Sequence, residues 1–459
     1  MKINKLSIEN FKKFKDKFDF DFSNQNFLVG ENNTGKTSVI DAINYLLSGP
    51  VKDKKYKCLS CTSTDYVRVE AEIFGDFSNV DTKYQDYILS DGNGNSYMKI
   101  KRSDEAITIT QSNKTIKLDE SKIQCWNNTT NQFENPAGKD TTFNVIDIVS
   151  IYANDHVDDI VSFDSTKILG KLIKGSVGDF FDTQQYKDFK DQHNTVFNTG
   201  PDSLKSRLNT LASDISQILK EQWGDLELGF KFELTDNSSH LKKGSVLVKE
   251  GGIEHELEDK GSGLQRSVML SMIQALSKVY TSNTESNIIL CIDEPELNLH
   301  PKAQEKLATA LSKLSDNIQV IVSTHSPYML TSFKKDAHSV YVFKDALMAN
   351  PEKLNKLSVL PFGPTLAEIQ HFAYNLTPND LHNELYGYLE SEGVVSFQNS
   401  KTWIKEKRDG TIQNESVSLQ EYIRHTIHHP ENRRNIAFTS VEILQSIEEM
   451  IAVVNSLTP

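Results

Sequence analysis

The chain has 459 residues, enough for two or three domains, and its 37% hydrophobic and 25% charged residues are the balance of a soluble globular protein. A net charge of −13 argues against a general nucleic-acid coat, which needs a local excess of Lys and Arg. No apolar run approaches the roughly 18–20 residues that span a bilayer, and MKINKLSIENFKKF lacks the apolar stretch of a secretory signal, so no membrane partner and a cytoplasmic location are expected.

Residues 2–8 and 18–29 read as strands that lead through a Gly-rich turn into a helix from Thr37 to Leu47. Between them and just after lie two basic clusters, Lys12, Lys13, Lys15, Lys17 and Lys52, Lys54, Lys55, Lys57. Each reads as solvated surface or as a nucleic-acid contact. Cys58 and Cys61 form a C-x-x-C without a second pair at zinc-ligand spacing, so two ordinary thiols are the simpler reading and a metal site the alternative. The four cysteines show no disulfide framework, which fits a reducing cytosol.

Residues 66–74 alternate, with Val67, Val69, Ala71 and Ile73 on one face. Tyr97–Lys101, Ala106–Thr110 and Thr115–Leu118 follow as short antiparallel strands, and together these segments predict a β-meander. Residues 155–222 are polar and helical, with Leu204, Leu208, Leu211, Ile215 and Leu219 at helical spacing. The stretch is too short for a long coiled-coil arm. Leu226, Leu228, Phe230, Phe232 and Leu234 then alternate as a strand. Residues 287–292 and 318–323 are near-continuous apolar runs, the pattern of parallel strands buried on both faces. After about residue 345 strand signals fade and helical patterns run to Pro459.

Four motifs carry chemistry. Gly30, Glu31, Asn32, Asn33, Thr34, Gly35, Lys36 and Thr37 satisfy G-x-x-x-x-G-K-[ST] between a strand and a helix, with Ser38 next in the helix. Backbone N–H groups of such a loop cradle phosphates, Lys36 neutralises β/γ oxygens, and the Thr37 hydroxyl is a Mg²⁺ ligand. Asp293 and Glu294 end the strand Ile288–Ile292, Asp293 to hold Mg²⁺ and Glu294 to orient and deprotonate a water. His325 ends a second apolar strand, where a γ-phosphate sensor is expected. Lys260-Gly261-Ser262-Gly263-Leu264-Gln265 opens a helix whose Ser262 hydroxyl and N–H groups make an anion site, about thirty residues before the Asp-Glu pair.

With these residues in order, the chain resembles the RecF/OLD-type branch of ABC ATPases over roughly residues 1–345, on GENNTGKT, GSGLQRS, CIDEPELNLHP and STHSP. The resemblance implies an α/β fold, an ABC/SMC-type ATPase head in which a P-loop sheet carries an antiparallel β-subdomain and a helical insertion, followed by a mainly helical C-terminal segment. It implies ATP and Mg²⁺ as cofactors and a homodimer or higher homo-oligomer through the heads. Ser262, Gly263 and Gln265 would then touch the γ-phosphate bound to the opposite protomer. A Q-loop glutamine is not placed by any motif, and Gln124 is the nearest candidate. The division implied is 1–154 for the first ATPase lobe, 155–225 for the helical insertion, 226–345 for the second lobe and 346–459 for the C-terminal segment.

The compact head is similar to ATPases of bacterial anti-phage systems, the Septu ATPase subunit first and the PARIS subunit as rival. That likeness implies an ATPase that senses infection and regulates or scaffolds a separate HNH- or Toprim-type nuclease. Competing readings are a RecF-like DNA-end-binding ATPase, which keeps nucleic acid open as a partner, and an ATP-gated ribonuclease. Glu390 and Glu392 resemble a first Toprim element, but no D-x-D follows. Arg424 and His429 fit R-x4-H of HEPN ribonucleases, or else a polar contact surface. Thr439 to Glu442 is a capping box with Phe438 and Ile443 as a hydrophobic staple, and Ile443, Leu444, Ile447, Met450, Ile451 and Val454 stripe the last helix.

Overall fold

The computed structural model describes the whole chain apart from residues 112–113, 137–142, 156–182, 210–212, 214–245, 251–252, 262, 266, 269–270, 273–286, 345–346, 355–357, 395–396, 407–409 and 458–459. The chain divides into two compact units, Met1–Ala153 with Asn287–Pro459, and Asn154–Ser286.

In the first unit the apolar runs form a six-stranded sheet in the order Asp147–Ile151, Ile288–Asp293, Gln319–Thr324, Gln25–Gly30, His338–Phe343, Glu352–Lys353. Every pairing is parallel except the last. Four of the strands are buried from end to end, as continuous apolar runs require. Because they run parallel, Gly30, Asp293 and Thr324 finish at one edge of the sheet.

The helix Lys36–Ser48 packs against this sheet on one side and against an antiparallel sheet on the other. Ten of its thirteen residues are buried, so it is a central element and not a surface helix with one apolar stripe. Arg102, fully buried on the antiparallel sheet, donates from Nε to the Leu46 carbonyl (3.1 Å) at the helix's negative end. Gln319 joins the two sheets, accepting from Ile3 N (2.9 Å) and donating to Ile3 O (2.7 Å).

The antiparallel sheet differs from the expected meander. Its order is Gln132–Glu134, Gln124–Asn127, Ser96–Ser103, Arg68–Phe74, Lys2–Glu9, Phe18–Asp21, with Leu89–Ser90 beside Ser96–Ser103. The strand Lys2–Glu9 pairs between Arg68–Phe74 and the edge strand Phe18–Asp21, and Ile107–Gln111 with Lys114–Leu118 forms a hairpin of its own. Leu118 is the one buried residue among the described residues of that hairpin, too little apolar surface to take a place inside the main sheet.

The C-terminal segment is mainly helical: Leu366–Tyr374, Asn379–Ser391, Leu419–His428 and Ser440–Leu457. It also holds a hairpin, Asn399–Glu406 with Ile412–Ser418, that the fading strand signals did not show. The first hairpin strand buries only Trp403, so its alternation is polar on both faces. The last helix begins at the expected capping box, Glu442 N donating to Thr439 Oγ1 (3.2 Å) and Thr439 N to Glu442 Oε2 (2.7 Å). Its stripe of Ile443, Ile447, Met450 and Val454 packs on Leu381, Leu385 and Leu389, while Leu444 turns outward.

In the second unit, the described residues include a helix Gln184–Asn194 and a hairpin of Leu247–Glu250 with Ile253–Glu256. The apolar series from Leu208 to Leu219 lies mostly outside the described residues, and that from Leu226 to Leu234 wholly so.

His382 is fully buried between the helices of the C-terminal core, with Nε2 3.0 Å from Ser446 Oγ, and burial lowers its pKa from 6.5 to about 4. The unfolded chain therefore binds a proton below pH 6.5 that the folded chain refuses until about pH 4, and stability falls with pH across that window. The thermal midpoint should drop between those limits, and His382→Leu should flatten the drop; an unchanged slope in the variant would contradict a buried neutral histidine.

Candidate functional site

The strand Gln25–Gly30 ends in a glycine that no other residue can replace. Gly30 has φ 138°, and a Cβ on it would lie 2.1 Å from the Phe343 carbonyl oxygen. The loop then turns through Asn33 (φ 63°) and Gly35 (φ 107°) into the helix. Gly35 is the N-cap without a side-chain cap, and the first turn carries no acidic residue. The positive end of this helix is thus not neutralised by its own side chains. Asn32 and Asn33 are exposed, Thr34 and Ser38 buried, and Thr34 Oγ1 donates to the Glu31 carbonyl (2.8 Å). Lys36 folds into the loop and donates to the carbonyls of Gly30 (3.1 Å) and Glu31 (2.6 Å). Burial presses its pKa down to about 8, against the pull of Glu294 and Asp293.

The acids arrive on the neighbouring strands. Thr37 Oγ1 donates to Asp293 at 3.1 and 3.2 Å to its two carboxylate oxygens, and Ser323 Oγ donates to the same carboxylate from the next strand. Burial raises the Asp293 pKa. Glu294 takes a left-handed backbone (φ 47°), uncommon for such a residue and costing about 1–2 kcal/mol. Its N–H bonds to Ser323 O (3.0 Å), and its Oε1 lies 3.0 Å from His325 Nε2. Burial, then the Lys36 charge, lowers the His325 pKa.

A hydroxyl and a carboxylate oxygen are the hard donors that Mg²⁺ takes, so Thr37 and Asp293 fit that ion. No group of three or more His, Cys, Asp or Glu at metal-binding distances occurs among the described residues. The remaining ligands would therefore be water and phosphate, the usual Mg²⁺ arrangement in phosphoryl-transfer sites.

The other sequence candidates belong to other elements or lie outside the described residues. Ser262 lies outside the described residues. Gly263 and Gln265 belong to the second unit, where Gln265 Nε2 donates to Leu257 O (3.1 Å) and Glu258 O (2.9 Å). Gln124 is buried in the antiparallel sheet, away from the strands that carry Gly30, Asp293 and His325. Cys61 Sγ bonds to Asn10 Oδ1 (3.1 Å) and Cys58 Sγ lies 3.2 Å from Ser60 Oγ. Arg424 pairs with Glu390 (2.9 Å) and stacks on Tyr386, whereas His429 faces Glu431 (3.2 Å) and Trp403. The two ends of R-x4-H address different neighbours.

Three features escaped the sequence reading. Ser323, one residue before the strand end, completes the Asp293 clamp. Glu296 accepts from Thr324 Oγ1 (2.6 Å) and from the His325 N–H (2.7 Å). Lys12 and Lys54, one from each basic cluster, both pair with Asp41 of the P-loop helix, which Tyr152 also reaches. The only sequence signal among these was the third acid of the run Asp293-Glu294-Pro295-Glu296.

Residues 1–330 match the AAA ATPase domain family, well over half of the chain. The chain belongs to that family. It is, on that membership, an ATPase of α/β fold. Among curated relatives, this chain is similar to the "Old nuclease" of Escherichia phage P2, 28% identical over 70% of this chain and 55% of that protein. It is similar to "Endonuclease GajA" of Bacillus cereus, 24% identical over 72% of this chain and 56% of that protein. The chain spans about half the length of these curated relatives. A shorter match, 50% identical over 44 residues (10% of this chain and 9% of that protein), is to the "Retron Vc95 probable ATPase" of Vibrio cholerae.

A Lys36 ammonium with a pKa near 8 should gain its full charge when phosphates arrive. ATP binding should therefore take up a proton at pH 8–9 and weaken as pH rises further. Calorimetry in two buffers of different ionisation enthalpy measures that uptake; equal heats would contradict the assignment.

Proposed function

We propose that this chain binds ATP with Mg²⁺ and hydrolyses it at composite sites between two heads, as the ATPase subunit of an anti-phage defence complex. The observation that carries the reading is the convergence of Lys36, Thr37, Asp293, Glu294 and His325 at one edge of one sheet. Mg²⁺ would neutralise charge on the β- and γ-phosphates there. Lys36, the loop from Gly30 to Gly35 and the first turn of the helix, with Ser38, would hold the phosphates. Thr37 and Asp293 would hold the ion. Glu294 takes the proton of the attacking water, and His325, hydrogen-bonded to it, senses the γ-phosphate. Ser262, Gly263 and Gln265 complete the site of a second protomer.

The defence role rests on the relatives, named as OLD-type and Gaj nucleases and as a retron ATPase. The finer reading is a regulator or scaffold for a separate nuclease, HNH-type as in Septu or Toprim-type as in PARIS. Arg424 and His429 serve it as contact surface, since each is engaged by a different neighbour.

Lys36→Ala should abolish ATP binding, because the charge and the shape of the loop are lost together. Glu294→Gln should keep ATP, lose turnover by about 10²–10⁴-fold and accumulate as the ATP-bound dimer, read by light scattering. Full turnover in Glu294→Gln would remove Glu294 as the base. Hydrolysis at full rate by a dilute, monomeric sample would remove the composite site.

A further inference from the structure

Glu296 stands just beyond the Asp-Glu pair and is 8% exposed, a carboxylate held within the protein by neutral hydrogen-bond donors. Its Oε1 accepts two hydrogen bonds, from the Thr324 hydroxyl and the His325 N–H. These residues end the strand Gln319–Thr324 and begin the turn that presents His325 to Glu294. The turn is strapped a second time by Ser326, whose Oγ donates to Gln304 Oε1 (2.5 Å). Through these bonds a single carboxylate defines where the His325 backbone sits.

Its other oxygen is different. Glu296 Oε2 is buried without a hydrogen-bond partner among the described residues, and so is the Tyr374 hydroxyl. Burial, followed by the charge of Glu296, pushes the Tyr374 phenol well above its usual pKa, so the two groups feel each other. Tyr374 ends the helix Leu366–Tyr374, which packs on the P-loop strand, on the strand His338–Phe343 and on the turn Pro327–Leu330 after His325. The same helix contacts Asn379–Ser391, and its Ala367 belongs to the C-terminal helical core. A buried acceptor and a buried donor left unpaired at such a junction are a costly arrangement, and they mark a place where one more hydrogen bond can form.

We propose that Glu296 is the positioning residue that holds His325 in the nucleotide site, and that Tyr374 couples the C-terminal helical module to it by bonding the free carboxylate oxygen. The coupling is local and mechanical. Movement of the His325 turn shifts Glu296, and Glu296 gains or loses Tyr374. The proposal rests on the ATPase site described above, with Glu294 as base and His325 beside it.

Steady-state ATPase kinetics of the full chain test it. Glu296→Ala should lower kcat by about 10- to 100-fold, because the His325 turn loses its anchor and the reacting geometry is misplaced. KM for ATP should stay within about twofold, since the phosphate loop is untouched. Glu296→Gln keeps a carbonyl oxygen for both bonds and should restore most of the rate. Its new amide donor meets the Tyr374 hydroxyl, so Glu296→Gln and Tyr374→Phe should be non-additive in a double-mutant cycle on kcat. Wild-type kcat in Glu296→Ala, or equal loss of kcat and ATP affinity, overturns the positioning role. Additive effects in the cycle overturn the coupling, and that arm stands even where Glu296→Ala does not fold. Lys36→Ala, assayed in parallel for ATP binding, separates these outcomes from failure of the ATPase reading itself: retained binding there would sink the site as a whole.

Discussion

The clamp on Asp293 is the constraint around which the unit Met1–Ala153 with Asn287–Pro459 is arranged. One buried carboxylate receives Thr37 from the P-loop helix and Ser323 from the neighbouring strand. Those contacts exist only if three strands run parallel and end level, and if the helix after the first of them lies across the sheet. A buried carboxylate is tolerated because each hydroxyl offsets part of its desolvation. The same clamp gathers hydroxyl and carboxylate oxygens, the hard donors that would suit a cation such as Mg²⁺.

Around the clamp the backbone departs from its ordinary preferences where function needs close approach. Gly30 passes beneath the Phe343 carbonyl, and Gly35 passes beside Ala349 and Lys13, where a Cβ would meet Ala349 Cβ at 2.8 Å. Glu294 sits in the left-handed region although it is no glycine. The hydrogen bond from its own N–H to Ser323 and the contact of its side chain with His325 hold that strain in place. Lys36, meanwhile, is held by two backbone carbonyls, neutral partners that a phosphate would outbid on charge.

The helix Lys36–Ser48 explains why the antiparallel sheet belongs to this unit. Buried on nearly every face, it needs a second apolar surface opposite the parallel sheet, and the strands Arg68–Phe74 and Ser96–Ser103 supply it. Its Asp41 draws Lys12 and Lys54 together, so two lysines from separate basic clusters serve as internal counter-ions. A surface charge count cannot see that. The C-terminal helices join the sheet through Leu366–Tyr374, which packs on Gln25–Gly30 and His338–Phe343 and reaches the helical core through Ala367.

What the sequence determined by itself was the set of elements whose signal is local. The P-loop declares its strand, turn and helix because only glycines reach φ values of 138° and 107° and only a continuous apolar run suits a strand buried on both faces. The Asp-Glu pair and His325 were legible for the same reason, as polar residues closing apolar strands. The capping box at Thr439 was likewise written in four consecutive residues. Tertiary structure decided the rest, because partners far apart in the chain leave no periodic trace. It paired Lys2–Glu9 with Arg68–Phe74, made a hairpin from the polar stretch around Trp403, and turned Arg424 and His429 toward separate neighbours. It joined Ser323 to Asp293 and Glu296 to His325, contacts across 30 and 29 residues, which arise only when parallel strands bring their ends level.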